Sequence, residues 1–160
     1  MKAEHFSDDT NEFLFFLYKH KVRYLIIGGE AVIFYGHIRV TGDIDFFYDP
    51  SKENVEKLFK ALHEFWDGEI PGIVNPEDLL EPETIFQFGR PPNRLDLLNF
   101  FGNIPFANAW NGKKEVQLKS ENDSFSIYYI GLNHLIQNKQ EADRARDRED
   151  LKFLLKIKEA

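Results

Sequence analysis

Cysteine is missing from the chain, so disulfides and thiolate metal sites are excluded. Positive charge is scarce: 20 Lys and Arg stand against 27 Asp and Glu, a formal net charge of −7. That balance argues against broad binding of duplex DNA, which requires a basic face. No apolar run approaches the roughly 20 residues of a membrane span. The opening stretch "MKAEHFSDD" lacks the apolar segment of a secretion signal. A cytoplasmic location without a membrane partner is therefore expected. The five histidines show no ligand spacing, and neither the Walker A pattern nor a three-glycine dinucleotide fingerprint occurs. Internal repeats and low-complexity segments are absent as well.

What is plentiful is phenylalanine. Sixteen Phe in 160 residues, with 42% hydrophobic content overall, suffice for one aromatic core in a single domain spanning residues 1–160. "SDDTNEFLFFLYKHK" reads as a helix capped by Ser7 or Asp8, with Phe13, Phe16 and Leu17 on one face. "RYLIIGG" reads as a buried strand halted at Gly28 and Gly29, and "EAVIFYG" as a short helix closed by Gly36. "DIDFFYD" is a strand, and Pro50 and Ser51 open the helix "SKENVEKLFKALHEFW". A loop rich in Pro, Gly and acids follows, with one short helical turn. "TIFQFG" and "RLDLLNFF" form a hairpin, and "IPFANAWNGKK" has no clear period. Two further strands, "EVQLKS" and "SFSIYYI", precede two closing helices. Several connections are too short for crossovers, so an α/β (α+β) fold with a mixed sheet flanked by helices is expected.

The stretch "GDIDFFYDP" places Asp43 and Asp45 on one face of a strand, about 6–7 Å apart at Cα. Their repulsion costs on the order of 2–3 kcal/mol at an effective dielectric near 20. Neither has an adjacent Lys or Arg, which leaves a bound cation or bulk water as the partner. Paired carboxylates suit Mg²⁺, a hard ion that takes oxygen ligands from acids and substrate phosphates. Asp96 lies in a second apolar strand. It serves either as a third ligand or as the partner of Arg94 on an exposed strand face. The Gly28-Gly29 turn is either a tight connection or a place where backbone approaches a phosphate. Lys139 extends the stripe of Leu132, Leu135 and Ile136, pointing inward or snorkelling along the helix. Arg144, Arg146 and Arg148 alternate with acids, so most of that run reads as solvated, self-paired surface.

Gly28-Gly29, thirteen intervening residues, Asp43-x-Asp45 and then a lone Asp96 resemble the signature of the DNA polymerase β-like nucleotidyltransferase superfamily. The wider stretch "IIGGEAVIFYGHIRVTGDIDFFYD" is similar to a small bacterial branch that includes the nucleotidyltransferase toxins of toxin–antitoxin systems. In that branch an Arg and a Thr precede the acids, as Arg39 and Thr41 do here. Lys139, Arg144 and Asp147 keep the offsets of a second motif of the branch. Gly42 stands where relatives often carry a larger residue, and Asp143 where a Gly is common.

The resemblance runs from about residue 20 to 155. It implies a metal-dependent transfer of a nucleoside monophosphate from a nucleoside triphosphate to an acceptor hydroxyl on RNA, protein or a small molecule. It further implies two Mg²⁺ ions on Asp43, Asp45 and Asp96, and nucleotide contacts from Gly28, Gly29, Arg39, Thr41, Lys139 and Arg144. A cognate antitoxin is an implied protein partner. The alternatives are a non-catalytic nucleotide- or partner-binding member of the same fold, and an acidic interaction module whose carboxylates are surface charge.

Overall fold

A computed structural model describes all 160 residues. Its centre is a six-stranded mixed sheet in the order β3-β4-β2-β1-β6-β5. The strands are β1 (Tyr24–Ile27), β2 (Asp43–Tyr48), β3 (Ile85–Phe88), β4 (Arg94–Leu98), β5 (Lys114–Lys119) and β6 (Ser124–Tyr129). Three antiparallel pairings, β1 with β2, β3 with β4 and β5 with β6, are joined by parallel pairings of β2 with β4 and β1 with β6. The expected mixed sheet with flanking helices is the fold found. No helix is long and apolar enough to cross a membrane.

Helix α1 (Asp8–Lys19) starts where the Ser7 hydroxyl accepts from the Thr10 amide, and α3 (Lys52–Phe65) where Ser51 does the same for Asn54. Phe13 of α1 meets Phe46 of β2 and Phe65 of α3 edge to face, with ring centroids 5.3 and 5.2 Å apart. Phe46 and Tyr48 therefore point to the face of the sheet covered by α1 and α3. Strand alternation then sends Asp43, Asp45 and Phe47 to the opposite face. The side chain of Asn54 ties the start of β1 to the end of β2. It accepts from the Arg23 amide (2.7 Å) and donates to the carbonyls of Arg23 (3.0 Å) and Asp49 (2.8 Å).

Helix α2 (Gly28–Phe34) begins directly after β1, two residues earlier than "EAVIFYG" suggested, and ends before Gly36 at φ +107°. The stretch without a clear period folds as α4 (Phe106–Asn111), burying Phe106 and Ala109. The chain closes with α5 (Leu132–Ala142) and α6 (Ala145–Glu159). Between them Asp143 takes a left-handed conformation, φ 49° and ψ 33°. Gly suits that geometry best and Asp tolerates it, so the conformational demand at this position is met without Gly. Gly42 has an equally local reason: a Cβ there would lie 3.0 Å from Cβ of Pro91.

Candidate metal centre

The pairing of β2 with β4 builds the acidic site. In register, Asp45 sits beside Asp96 and Asp43 beside Arg94. Parallel neighbours in register share a face, so all three carboxylates converge, with one oxygen from each within 4.8 Å of the others. Asp96, expected either as a ligand or as an ion-pair partner, is placed with the other two acids and is also paired. Arg94 donates from Nε to Asp96 Oδ1 (3.0 Å) and from Nη2 to Asp96 Oδ2 (3.1 Å). Its Nη2 also donates to Asp43 Oδ2 at 2.7 Å. The Arg94–Asp43 contact joins positions 51 apart in sequence, and nothing in the local pattern announces it.

Asp45 is the member without a basic partner. Burial, with the charges of Asp43 and Asp96 beside it, pushes its carboxyl up to about 7. Its Oδ1 is buried and makes no hydrogen bond. Asp96 is also raised, chiefly by burial, against the pull of Arg94. The fit to a divalent cation follows: hard oxygen donors, three carboxylates in reach of one point, and a buried acceptor left without a donor.

The glycine turn lies against this cluster. Ile27 pairs with Asp45 across the sheet, and Gly28 follows at φ +66°. A Cβ on Gly28 would stand 2.5 Å from Asp45 Oδ2; one on Gly29 would stand 2.7 Å from Arg39 Nη2 and 3.0 Å from Thr41 Oγ1. The two glycines thus leave room for the acid on one side and for the arginine on the other. Thr41 Oγ1 donates to Asp43 Oδ1 at 3.1 Å, which joins the 37–42 connector to the acidic cluster.

Behind Gly29 lies a second set of charges. The ammonium of Lys139, 5% exposed, is 3.1 Å from Asp147 Oδ1 and 3.1 Å from Asp150 Oδ2. Arg39 Nη2 donates to Asp150 Oδ2 (3.3 Å) and Arg144 Nε donates to Asp147 Oδ2 (2.7 Å). Burial alone would raise Asp147. The hydrogen bonds from Arg144 and Lys139 outweigh it and hold the carboxyl at about 2. Most of the run is solvated and self-paired, as expected: Arg144, Arg146 and Arg148 remain open to solvent, Arg144 pairing with Asp147 and Arg148 with Asp143, while Asp147 and Asp150 are the exceptions, each 1% exposed. The inward expectation for Lys139 holds, though its charge is met by two aspartates. A signal for those acids was present in the sequence, since Asp147, Asp150 and Leu154 recur at three and four residues on one helical face.

A cleft of about 350 Å³ joins the two sets. Asp45, Asp96, Gly28, Lys139 and Arg144 line one part, and Ile85, Leu98, Phe100 and Phe101 another. Compared with models of known protein families and with curated protein sequences, the chain matches none.

Proposed function

We propose that the protein is a metal-dependent nucleotidyltransferase, moving a nucleoside monophosphate from a nucleoside triphosphate to an acceptor hydroxyl. The observation that carries this reading is the convergence of Asp43, Asp45 and Asp96 beside the Gly28-Gly29 turn. The division of charge supports it too. Three acids face one arginine at the sheet, while three bases, Arg39, Lys139 and Arg144, meet two acids behind Gly29. The first set has an excess of negative charge and attracts a cation; the second has an excess of positive charge and attracts phosphate.

Asp43, Asp45 and Asp96 would hold Mg²⁺. Bound there, Mg²⁺ offsets the charge of the triphosphate and lowers the pKa of the acceptor hydroxyl. Gly28 and Gly29 let the phosphates come close to the backbone. Arg144, at the wall of the cleft, offers its guanidinium to them, and Lys139 keeps Asp147 and Asp150 from repelling them. Asp96, its basicity raised by burial, takes the hydroxyl proton as the acceptor oxygen bonds to the α-phosphorus. The bond from that phosphorus to the α–β bridging oxygen breaks, and pyrophosphate leaves with the electron pair.

A second reading has its own observation. Arg94 already neutralises Asp43 and Asp96, as it would in a non-catalytic domain that binds nucleotide or a protein partner such as an antitoxin. One experiment separates the two. The protein is incubated with Mg²⁺, cell extract and each α-labelled nucleoside triphosphate in turn. The transferase reading expects label on one class of acceptor, lost in Asp43→Asn, Asp45→Asn and Asp96→Asn. Label on nothing, from folded protein that Mg²⁺ stabilises, selects the binder. If Mg²⁺ does not stabilise the protein either, the metal centre itself is wrong.

A further inference from the structure

We propose that Arg94 is the built-in counter-ion of the acidic site, which a divalent cation must displace from Asp43 and Asp96, so that this side chain sets the affinity for metal. The inference rests on the metal-centre reading above and goes beyond it in assigning a positioning role to a residue outside the carboxylate set.

Three observations carry it. The first is occupancy. The guanidinium already engages Asp43 Oδ2, Asp96 Oδ1 and Asp96 Oδ2, at 2.7, 3.0 and 3.1 Å, oxygens a metal ion would need. An ion bound at ordinary Mg²⁺–oxygen distances, about 2.0–2.1 Å, would stand close against that positive charge unless the guanidinium moved away. The second is register. Arg94 is opposite Asp43 on the neighbouring strand and two residues before Asp96 on its own, so the backbone aims it at both acids. The third is freedom to leave. The Arg94 side chain is 30% exposed, whereas Lys139 is held at 5% between two buried acids. Asp45 is the complement of this arrangement. It accepts nothing from Arg94, and its buried Oδ1 has no donor, so it is the acid open to a cation from the start.

The device resolves a conflict in the fold. Three carboxylates this close repel one another, and a chain that must fold before it meets metal needs a temporary positive charge among them. A guanidinium fork holds both oxygens of Asp96 in a bidentate pair while a further N–H reaches Asp43, a planar geometry that the point charge of an ammonium does not reproduce.

The test measures binding of Mg²⁺, and separately of Mn²⁺, to the full chain by calorimetry and by thermal shift. Wild type is compared with Arg94→Gln and Arg94→Lys. A divalent charge and a guanidinium about 4 Å apart repel enough, even at the dielectric of water, for a change of roughly 10–100-fold. Arg94→Gln is therefore expected to bind metal about 10–100-fold more tightly while melting lower than wild type without metal. Arg94→Lys is expected between the two, and it carries the comparison alone if the Gln variant unfolds in metal-free buffer. Unchanged or weaker metal binding in both variants overturns the inference and leaves the metal centre standing. Metal binding by the Gln variant but not by wild type supports the inference and overturns the transferase reading. No binding by any of the three overturns both.

Discussion

Lys139 offers the sharpest test of how the helical pair is held against the site. Replacing it with Met keeps most of the stem volume and removes the charge. Asp147 and Asp150, each 1% exposed, then lose an ammonium 3.1 Å away. Breaking a buried ion pair from one side costs about 3–5 kcal/mol, because the remaining charge is stranded. Here neither acid is stranded completely: Asp147 keeps Arg144 at 2.7 Å, and Asp150 keeps Arg39 at 3.2 Å. The Asp150 contact is the weaker one, because its Oδ1 and Arg39 Nε are close without an aligned hydrogen bond. The expected loss is therefore at the lower end, about 3 kcal/mol. For a domain of this size that lowers the melting temperature by roughly 6–12 °C. Urea denaturation at pH 7 reads the first number and thermal melting the second. A double-mutant cycle with Asp150→Asn should return much of the loss, since the second substitution removes a charge left short of partners. A loss below about 1 kcal/mol, with no coupling in the cycle, would refute the claim that Lys139 is a structural counter-ion.

Asp147 supplies a pH test. Its carboxyl is depressed in the fold, so its contribution is present above the unfolded value of 3.8 and is lost as pH falls toward about 2. Asp147→Asn should be less stable at neutral pH and should flatten the acid limb of the stability curve between those values; an unchanged limb counts against the pairing. The two glycines should differ in cost. Gly28→Ala meets both a left-handed backbone and the Asp45 carboxylate, for a loss of about 2 kcal/mol or more. Gly29→Ala has no left-handed backbone to strain and meets only the side-chain ends of Arg39 and Thr41, so it should cost less than Gly28→Ala, and urea curves giving the reverse order would contradict the packing described. Chelation with EDTA should remove any Mg²⁺-dependent rise in melting temperature from wild type and change nothing in Asp45→Asn, whose Mg²⁺ response should already be absent.

Much of this arrangement could be read from residue order because it follows short periods. The two-residue repeat of a strand puts Asp43 with Asp45, and the apolar neighbours Ile44, Phe46, Leu95 and Leu97 mark β2 and β4 as strands. The stripe of Leu132, Leu135 and Ile136 sends Lys139 inward for the same kind of reason. What stayed hidden depends on contacts between segments. Arg94 lies two residues before Asp96 in sequence, yet its 2.7 Å contact is with Asp43, and that requires knowing that β4 lies parallel to β2. Asp147 and Asp150 share a helical face with Leu154, which hints at their burial, but that Lys139 is their partner emerges only from the packing of α5 against α6. Helix α4 has six residues, fewer than two turns, which is too short to establish a period.

The convergence of the acids is secured by residues that never touch the site. A one-residue slip of β4 against β2 would turn Asp96 to the opposite face and bring Leu95 or Leu97 into the acidic cluster. What opposes that slip is burial: Leu95 is 5% exposed and Leu97 1%, on the face covered by the aromatic core, while β3 pairs Gln87 with Asp96 from the other side. Leu97→Ala should therefore cost about 2–5 kcal/mol from the cavity alone. It should also weaken Mg²⁺ binding at temperatures where the protein remains folded, because the register that holds Asp96 beside Asp45 loses its anchor. Leu118→Ala is the matched control, equally buried at 1% but on β5, the strand at the opposite edge of the sheet. A similar loss of stability there, with Mg²⁺ affinity unchanged, would separate register from general loosening. Equal loss of affinity in both variants would show that the carboxylates respond to overall stability and not to the pairing of β2 with β4.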